Sequence, residues 1–192
     1  DGYIDNYRGW DFADHDNDPH VAPLGNPHGI HVSGLASAVT NNAKGMASIA
    51  NNHAKLLILK ISSDSEELNR SKSVVVGGYE AIKYAADHDA NVINCSWGHL
   101  FFSSYHQDVV NYAVSQGCLI VAAAGNEGRD KNIIRYPAAY KGVFAVSSVD
   151  ALDKKSDFSS YGRHVSISAP GSEIYSTVYG NKYAKEDGTS MA

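Results

Sequence analysis

Three polar residues in or near glycine-containing loops have side chains that could do chemistry, as a general base, an amide donor and a nucleophile. His28 opens the run His28-Gly29-Ile30-His31, where glycine leaves an imidazole accessible, and imidazole acts as a general base near neutral pH. Asn126 follows a glycine and offers an amide donor. Ser190 ends a polar loop and is either a nucleophile or a helix N-cap. Taken singly, the asparagine loop is better explained as a tight turn and the serine as a helix cap.

A second candidate site is an acidic loop near the start of the chain. It places four carboxylates within one short segment: Asp11, Asp14, Asp16 and Asp18. Oxygen ligands at alternate positions suit Ca²⁺, although Pro19 stands where an EF-hand loop needs glycine. The alternative is a solvated acidic turn. The two histidines do not match a zinc-protease helix, because their spacing is three rather than four and no acidic residue directly follows His28. His31 is interpreted as a structural histidine.

Composition narrows the class of protein. The chain has 192 residues, 43% of them hydrophobic and 19% charged, which is typical of a folded globular domain. The net charge of −5 gives no reason to expect a nucleic-acid partner. No apolar run approaches the roughly 20 residues that span a bilayer. Cys95 and Cys118 lie in apolar runs and are interpreted as buried free thiols.

The elements that must position these residues form an alternating pattern. Short apolar runs predict strands at 55–61, 91–95, 118–124, 143–149 and 164–169, and a hairpin follows near 173–184. Helical spacing predicts helices at 31–39, 73–88 and 105–115. Aromatic residues are expected to anchor the irregular first segment: Tyr3, Tyr7, Trp10 and Phe12. This pattern predicts an α/β fold, a mostly parallel sheet with helices on both faces, whose ligands bind at the carboxyl ends of the strands.

The order of the motifs is more specific than any one of them. HGIHVSG, INCSWG, VAAAGNEG, YPAAY, SDFSSYG, SAPG and GTSMA follow one another along the chain. Together they resemble the subtilisin-like serine peptidases, from about residue 2 to residue 192. The resemblance implies that Ser190 is the nucleophile, that His28 is its base, and that Asn126 and the Ser190 amide hold the oxyanion of an acyl-transfer reaction.

The same resemblance assigns the substrate-binding residues. Ser96, Trp97 and Gly98 match one wall of the pocket for the residue before the scissile bond, and Ala123, Ala124 and Gly125 match the other. Pro137 matches the closing loop, where the family often carries a cis proline. The small residues of one wall lead us to expect a roomy apolar pocket. The family also implies a peptide or protein substrate, a pro-segment, secretion or a periplasmic location, no cofactor for the chemistry, and a structural Ca²⁺ at the acidic loop.

The triad also needs a carboxylate that orients the histidine. No aspartate upstream of His28 follows a strand and precedes Ser or Thr and Gly, so we expect this residue before position 1. Residues 1–192 are therefore expected to be a partial peptidase domain, without the strand of that aspartate and the helix after Ser190, and inactive in isolation. Two alternatives remain: an inert protease-like peptide-binding module, and a nucleotide-binding domain using Gly125-Asn126-Glu127-Gly128, for which no phosphate-loop motif is present.

Overall fold

The computed structural model describes residues 2–21, 25–64 and 75–192, and the chain in it divides into two units. The first unit comprises Asp1–Tyr84 and Thr177–Lys182, and the second comprises Ala85–Ser176 and Tyr183–Ala192. The fold is α/β with a parallel sheet, as the sequence predicts. No helix in the described part of the chain is long and apolar enough to cross a bilayer.

The first unit holds a two-stranded parallel pair and a helix that begins at His28. Strand β1 (Trp10–Asp11) pairs with β2 (Leu59–Lys60), and α1 spans His28–Ser37. The buried cluster consists of Phe12, Ala81 and Tyr84, with Tyr3, Trp10, Leu59 and Ile61 packed against it. The aromatic anchors are thus as expected except for Tyr7, which is 81% exposed.

Two predicted elements of this unit are shorter than expected. The strand predicted over 55–61 is reduced to Leu59–Lys60, because among the described residues its pairing partner is the two-residue strand β1, and Leu56 and Leu57 are exposed. The helix predicted from residue 73 begins later, as α2 (Gly78–Asp87), and residues 73 and 74 lie outside the described part of the chain. Gly77 precedes it with φ +69°, a left-handed conformation that does not continue a helix.

The second unit is built on a parallel sheet in the order β3-β4-β5-β6. Its strands are β3 (Val92–Cys95), β4 (Leu119–Ala123), β5 (Val143–Val149) and β6 (Val165–Pro170), and α3 (Ser104–Ser115) connects β3 to β4. Ile93 and Cys95 of β3 lie beside Ile120 and Ala122 of β4, and all four are buried. Burial raises the pKa of the Cys95 thiol to about 12, in agreement with an inert buried residue.

The last elements form the predicted hairpin, β7 (Ile174–Val178) and β8 (Lys182–Glu186). Gly180 and Asn181, both with positive φ, make the turn between them. Because β3 and β4 are adjacent and parallel, the loops that follow Cys95 and Ala123 leave the sheet at the same edge. The loops at this end of the sheet carry Ser96 and Asn126.

Candidate active site

Ser190 lies in a turn after β8, directly against the end of β3. The turn is closed by the Met191 amide, which donates to the Gly188 carbonyl oxygen at 3.1 Å. The Ser190 hydroxyl donates to the Ser96 carbonyl oxygen at 3.3 Å, and the Ser96 hydroxyl donates to the Ser190 carbonyl oxygen at 2.9 Å. These reciprocal bonds place the half-buried Ser190 side chain next to a residue of the expected substrate-binding wall.

The Asn126 amide is oriented by Thr189. The Asn126 Oδ1 accepts hydrogen bonds from the Thr189 amide at 3.0 Å and from the Thr189 hydroxyl at 2.9 Å. The Thr189 hydroxyl in turn accepts from the Gly125 amide at 3.1 Å. Because two donors hold the oxygen, the Asn126 Nδ2 remains as the donor side of the carboxamide. Thr189 is buried, whereas Asn126 is exposed, so these bonds lie at the boundary between the interior and the surface.

Two donor nitrogens lie at the same distance from one point beside Gly188. A β-carbon placed on Gly188 would lie 3.6 Å from the Asn126 Nδ2 and 3.6 Å from the Ser190 amide nitrogen. Within the described ranges, neither nitrogen has a hydrogen-bond acceptor. Convergent donors without acceptors are the arrangement that stabilises a developing oxyanion.

The Ser190 turn is held by a close approach of two glycines. The Gly188 amide donates to the Gly171 carbonyl oxygen at 2.8 Å, and the Gly171 amide donates to the Val149 carbonyl oxygen at 3.0 Å. A β-carbon on Gly171 would lie 2.5 Å from the Ser148 Oγ and 2.6 Å from the Gly188 carbonyl oxygen. Only glycine fits between these atoms, so the SAPG motif ties the turn to the end of β5.

The loop after β4 rests on the segment that carries the SDFSSYG motif. The Ser160 amide donates to the Gly125 carbonyl oxygen at 2.9 Å, and the Gly128 amide donates to the Phe158 carbonyl oxygen at 2.8 Å. A β-carbon on Gly128 would lie 1.9 Å from the Ser159 carbonyl oxygen, which excludes any side chain there. This motif, to which the sequence assigned no role, therefore supports the loop of Asn126.

The expected substrate-binding residues are grouped at the same edge of the sheet. Trp97 stacks on His99 with ring centroids 6.5 Å apart. The His99 amide donates to the Tyr136 carbonyl oxygen at 2.8 Å, and the Tyr136 amide returns a bond of 2.9 Å. The Tyr136–Pro137 peptide bond is cis, and Pro137 is buried. The closing loop predicted around Pro137 is thus joined to the segment after β3.

A charged side chain lies beside both walls and was not anticipated. A β-carbon on Gly98 would lie 3.2 Å from the Arg135 Cβ, and one on Gly125 would lie 3.1 Å from the Arg135 Cγ. The Arg135 guanidinium donates to the Glu127 carboxylate at 2.6 Å. The sequence led us to expect an apolar pocket because its walls have small residues. Arg135, which directly precedes Tyr136-Pro137 in the sequence, was overlooked.

His28 belongs to the first unit and is the first residue of α1. Its amide donates to the Asn26 Oδ1 at 3.0 Å, and its side chain is half-buried. The Ile30 carbonyl oxygen accepts from the Ser33 hydroxyl at 3.1 Å and from the Thr177 hydroxyl at 3.0 Å. His31 is fully buried, as expected of a structural histidine.

A lysine from β2 contacts the acidic cluster. Carboxylate oxygens of Asp11, Asp14 and Asp64 lie within 4.8 Å of one another, so this cluster could hold a metal ion. The Lys60 Nζ lies 2.7 Å from the Asp11 Oδ2, 2.7 Å from the Asp64 Oδ1 and 3.8 Å from the Asp14 Oδ2. Burial alone would lower the pKa of Lys60, but its partners Asp11 and Asp64 raise it above the ordinary value.

The other two predicted metal ligands make different contacts. The Asp16 Oδ1 accepts from the Asp18 amide at 2.9 Å, and the Asp18 Oδ1 accepts from the His20 amide at 3.1 Å and contacts the His20 ring. The side-chain hydrogen bond from His20 lowers the pKa of Asp18. Asp64, which the sequence did not single out, takes their place in the cluster.

Comparison with known proteins identifies the family. A family model described as the subtilase family matches residues 2–192. Thermitase from Thermoactinomyces vulgaris is 45% identical over 184 residues, which are 96% of this chain and 62% of thermitase. The halolysin-like extracellular serine protease Nep from Natrialba magadii is 38% identical over 192 residues, 100% of this chain and 34% of that protein.

A solved structure shares the fold. The prenylagaramide maturation protease PagA superimposes with a TM-score of 0.75 at 26% sequence identity, covering 86% of this chain and 59% of that one. This chain thus spans less than two thirds of the length of the relatives named here. The family model and these relatives agree with the motif order, and the chain belongs to the subtilase family.

Proposed function

We propose that the natural protein is a serine endopeptidase that hydrolyses peptide bonds through an acyl-enzyme. The observation that carries the proposal is the pair of donors, Asn126 Nδ2 and Ser190 N, which both lie 3.6 Å from the position of a β-carbon built on Gly188, in the loop that carries Ser190. The Ser190 Oγ attacks the peptide carbonyl carbon while His28 takes its proton, and the two donors hold the oxyanion. His28 then protonates the leaving amine, and water releases the acyl group.

The substrate lies along the carboxyl ends of β3 and β4. Ser96, Trp97 and Gly98 pair with the peptide backbone on one side, and Ala123, Ala124 and Gly125 form the opposite wall. Their position at the edge that carries Ser190 supports this assignment, because ligands of parallel sheets bind at the carboxyl ends of the strands. No cofactor takes part in the chemistry.

The acidic loop supports a structural calcium site that competes with Lys60. The ammonium faces the same carboxylate oxygens that a calcium ion would need, so the ion binds only when Lys60 withdraws. Calorimetric titration with Ca²⁺ is expected to give weak binding to the natural protein and tighter binding to Lys60→Met. Lys185→Met, which removes an exposed lysine, serves as the control. No binding to Lys60→Met, or equal binding to all three proteins, would exclude the site.

Three further expectations rest on the family alone. The natural protein is exported, a property that the name of the Natrialba relative states for that protein. It folds with a pro-segment, and a carboxylate orients His28. No aspartate among residues 1–192 fits the role of the carboxylate that orients His28, so this segment alone is expected to be inactive. In subtilisin, loss of that aspartate lowers kcat about 3 × 10⁴-fold.

Labelling with a fluorophosphonate probe tests the proposed function. The natural protein should be labelled and should cleave casein, and both Ser190→Ala and His28→Ala should abolish these activities. Ser115→Ala is the matched control, because the exposed Ser115 hydroxyl donates to the Tyr112 carbonyl oxygen of the same helix, α3. Peptide binding without labelling or cleavage would instead identify an inert peptide-binding module.

A further inference from the structure

The side chain of Arg135 lies where the two walls of the candidate substrate pocket meet. It approaches Gly98 of one wall and Gly125 of the other, since β-carbons on these glycines would lie 3.2 Å and 3.1 Å from its Cβ and Cγ. Gly125 also has φ +115°, a conformation that disfavours any other residue. Because Gly98 and Gly125 have no side chains, there is room for the Arg135 side chain beside them.

Arg135 is held in place rather than free on the surface. Its guanidinium donates to the Glu127 Oε1 at 2.6 Å, and the side chains of the two residues are only 25% and 29% exposed. The following residue, Tyr136, is fixed by two backbone hydrogen bonds to His99. A charged group in a fixed position beside a pocket can select among ligands, because it has little conformational freedom to lose on binding.

The hydrogen-bonding capacity of the pair is unequal. Both oxygens of the Glu127 carboxylate accept hydrogen bonds. The Oε1 accepts from the Arg135 guanidinium, and the Oε2 accepts from the backbone N–H of Asn126 at 3.1 Å. Of the guanidinium donors, one finds an acceptor among the residues that the structure describes. A guanidinium offers five N–H groups in a fork that matches a carboxylate, so unused donors remain for a ligand.

We propose that Arg135 determines the substrate specificity of this site: the pocket takes an acidic side chain before the scissile bond and rejects large apolar ones. The proposal rests on the proposed peptidase function. A glutamate side chain can accept hydrogen bonds from the guanidinium without breaking its bond to Glu127. A phenyl ring would bury the ion pair without replacing its contacts to water, which disfavours binding.

A substrate series tests this specificity. Four peptide p-nitroanilides differ only in the last residue, which is Glu, Gln, Phe or Lys, and kcat/KM is measured for the natural protein. Glu is expected to exceed both Phe and Lys. Arg135→Gln should lower the ratio of Glu to Gln by about 10- to 100-fold, the value of one charge-assisted hydrogen bond. Because ratios are compared, a partly folded variant does not obscure the result.

Two further variants act as control and countertest. Arg129→Gln removes another arginine, paired with Asp157 but 71% exposed, and should leave all ratios unchanged. Glu127→Gln removes the negative charge beside Arg135 and should raise the ratio of Glu to Lys, the opposite direction to Arg135→Gln. A natural preference for Phe, or ratios that Arg135→Gln does not change, would overturn the specificity and leave the peptidase intact. Absence of cleavage of all four substrates together with absence of fluorophosphonate labelling would overturn the proposed function itself.

Discussion

Replacing Thr189 by valine removes the hydroxyl that orients the Asn126 amide and keeps the shape of the side chain. The Asn126 Oδ1 loses the bond of 2.9 Å but keeps that of 3.0 Å from the Thr189 amide. One neutral hydrogen bond contributes about 0.5–1.5 kcal/mol, so kcat should fall about 2- to 10-fold. KM should remain unchanged, because the oxyanion exists only after attack has begun.

The same substitution should also lower stability. The backbone amide of the half-buried Gly125 loses its acceptor at 3.1 Å, and the cost is at most the roughly 1–3 kcal/mol of a fully buried donor without a partner. For a protein of this size, that corresponds to roughly 2–4 °C in Tm for each kcal/mol. Thermal unfolding followed by circular dichroism and steady-state kinetics on one p-nitroanilide measure the two effects separately.

The chain contains a matched control for this variant. Thr40 and Asn52 make the same contacts in the first unit, where the Asn52 Oδ1 accepts from the Thr40 amide at 2.8 Å and from its hydroxyl at 3.3 Å. Thr40→Val should lower Tm and leave kcat unchanged. An equal fall in kcat in both variants, or an unchanged kcat in Thr189→Val, would refute the role of Thr189.

Three other outcomes are expected. Gly171→Ala should displace Gly188 and reduce fluorophosphonate labelling by at least about 10-fold, since no space exists for the methyl group, whereas normal labelling would contradict the contact. Lys60→Met should lower the free energy of unfolding in urea by about 3–5 kcal/mol, because it leaves the buried Asp11 carboxylate without its cation, and Lys185→Met should lower it by less than about 1 kcal/mol; similar losses would argue against the ion pairs. Burial lowers the pKa of His99 from 6.5, so the unfolded chain takes up this proton first as the pH falls, and Tm should decrease below pH 6.5. His99→Gln should reduce that decrease, and an unchanged pH slope of Tm would count against it.

Local sequence patterns were sufficient where a residue's role depends on its near neighbours. The apolar run 143–149 predicted β5 at the bounds that the structure has, and the run 118–124 predicted β4 to within one residue at each end. Strands buried in a parallel sheet need apolar side chains at successive positions, so their pattern is visible in a short window. The strand predicted over 55–61 was too long, because within the described part of the chain it pairs with the two residues of β1, and an apolar run does not itself specify how many of its residues find a partner.

Candidate site residues divide in the same way. Motifs singled out Asn126 and Ser190, but the role of Thr189 between them was not visible, because it bonds to a residue 63 positions away. Asp64 joins the acidic cluster beside Asp14, 50 positions away, whose Oδ2 accepts a hydrogen bond from the Asp64 backbone amide at 2.8 Å. In each case the missed contact joins a residue to a partner that no short window identifies.

By itself, the order of residue types determined that this chain has the α/β fold and the motifs of the subtilases, because backbone periodicity and glycine-flanked polar residues are local properties. Tertiary structure decided that two amide nitrogens lie near one point beside Gly188 and that the Arg135 side chain lies close to both Gly98 and Gly125. The hydrogen bond between Ser96 and Ser190, which are 94 positions apart in the sequence, is an example. Which distant atoms come within 3 or 4 Å of one another depends on how the whole sheet and its loops pack, since interiors are close-packed and each contact constrains its neighbours.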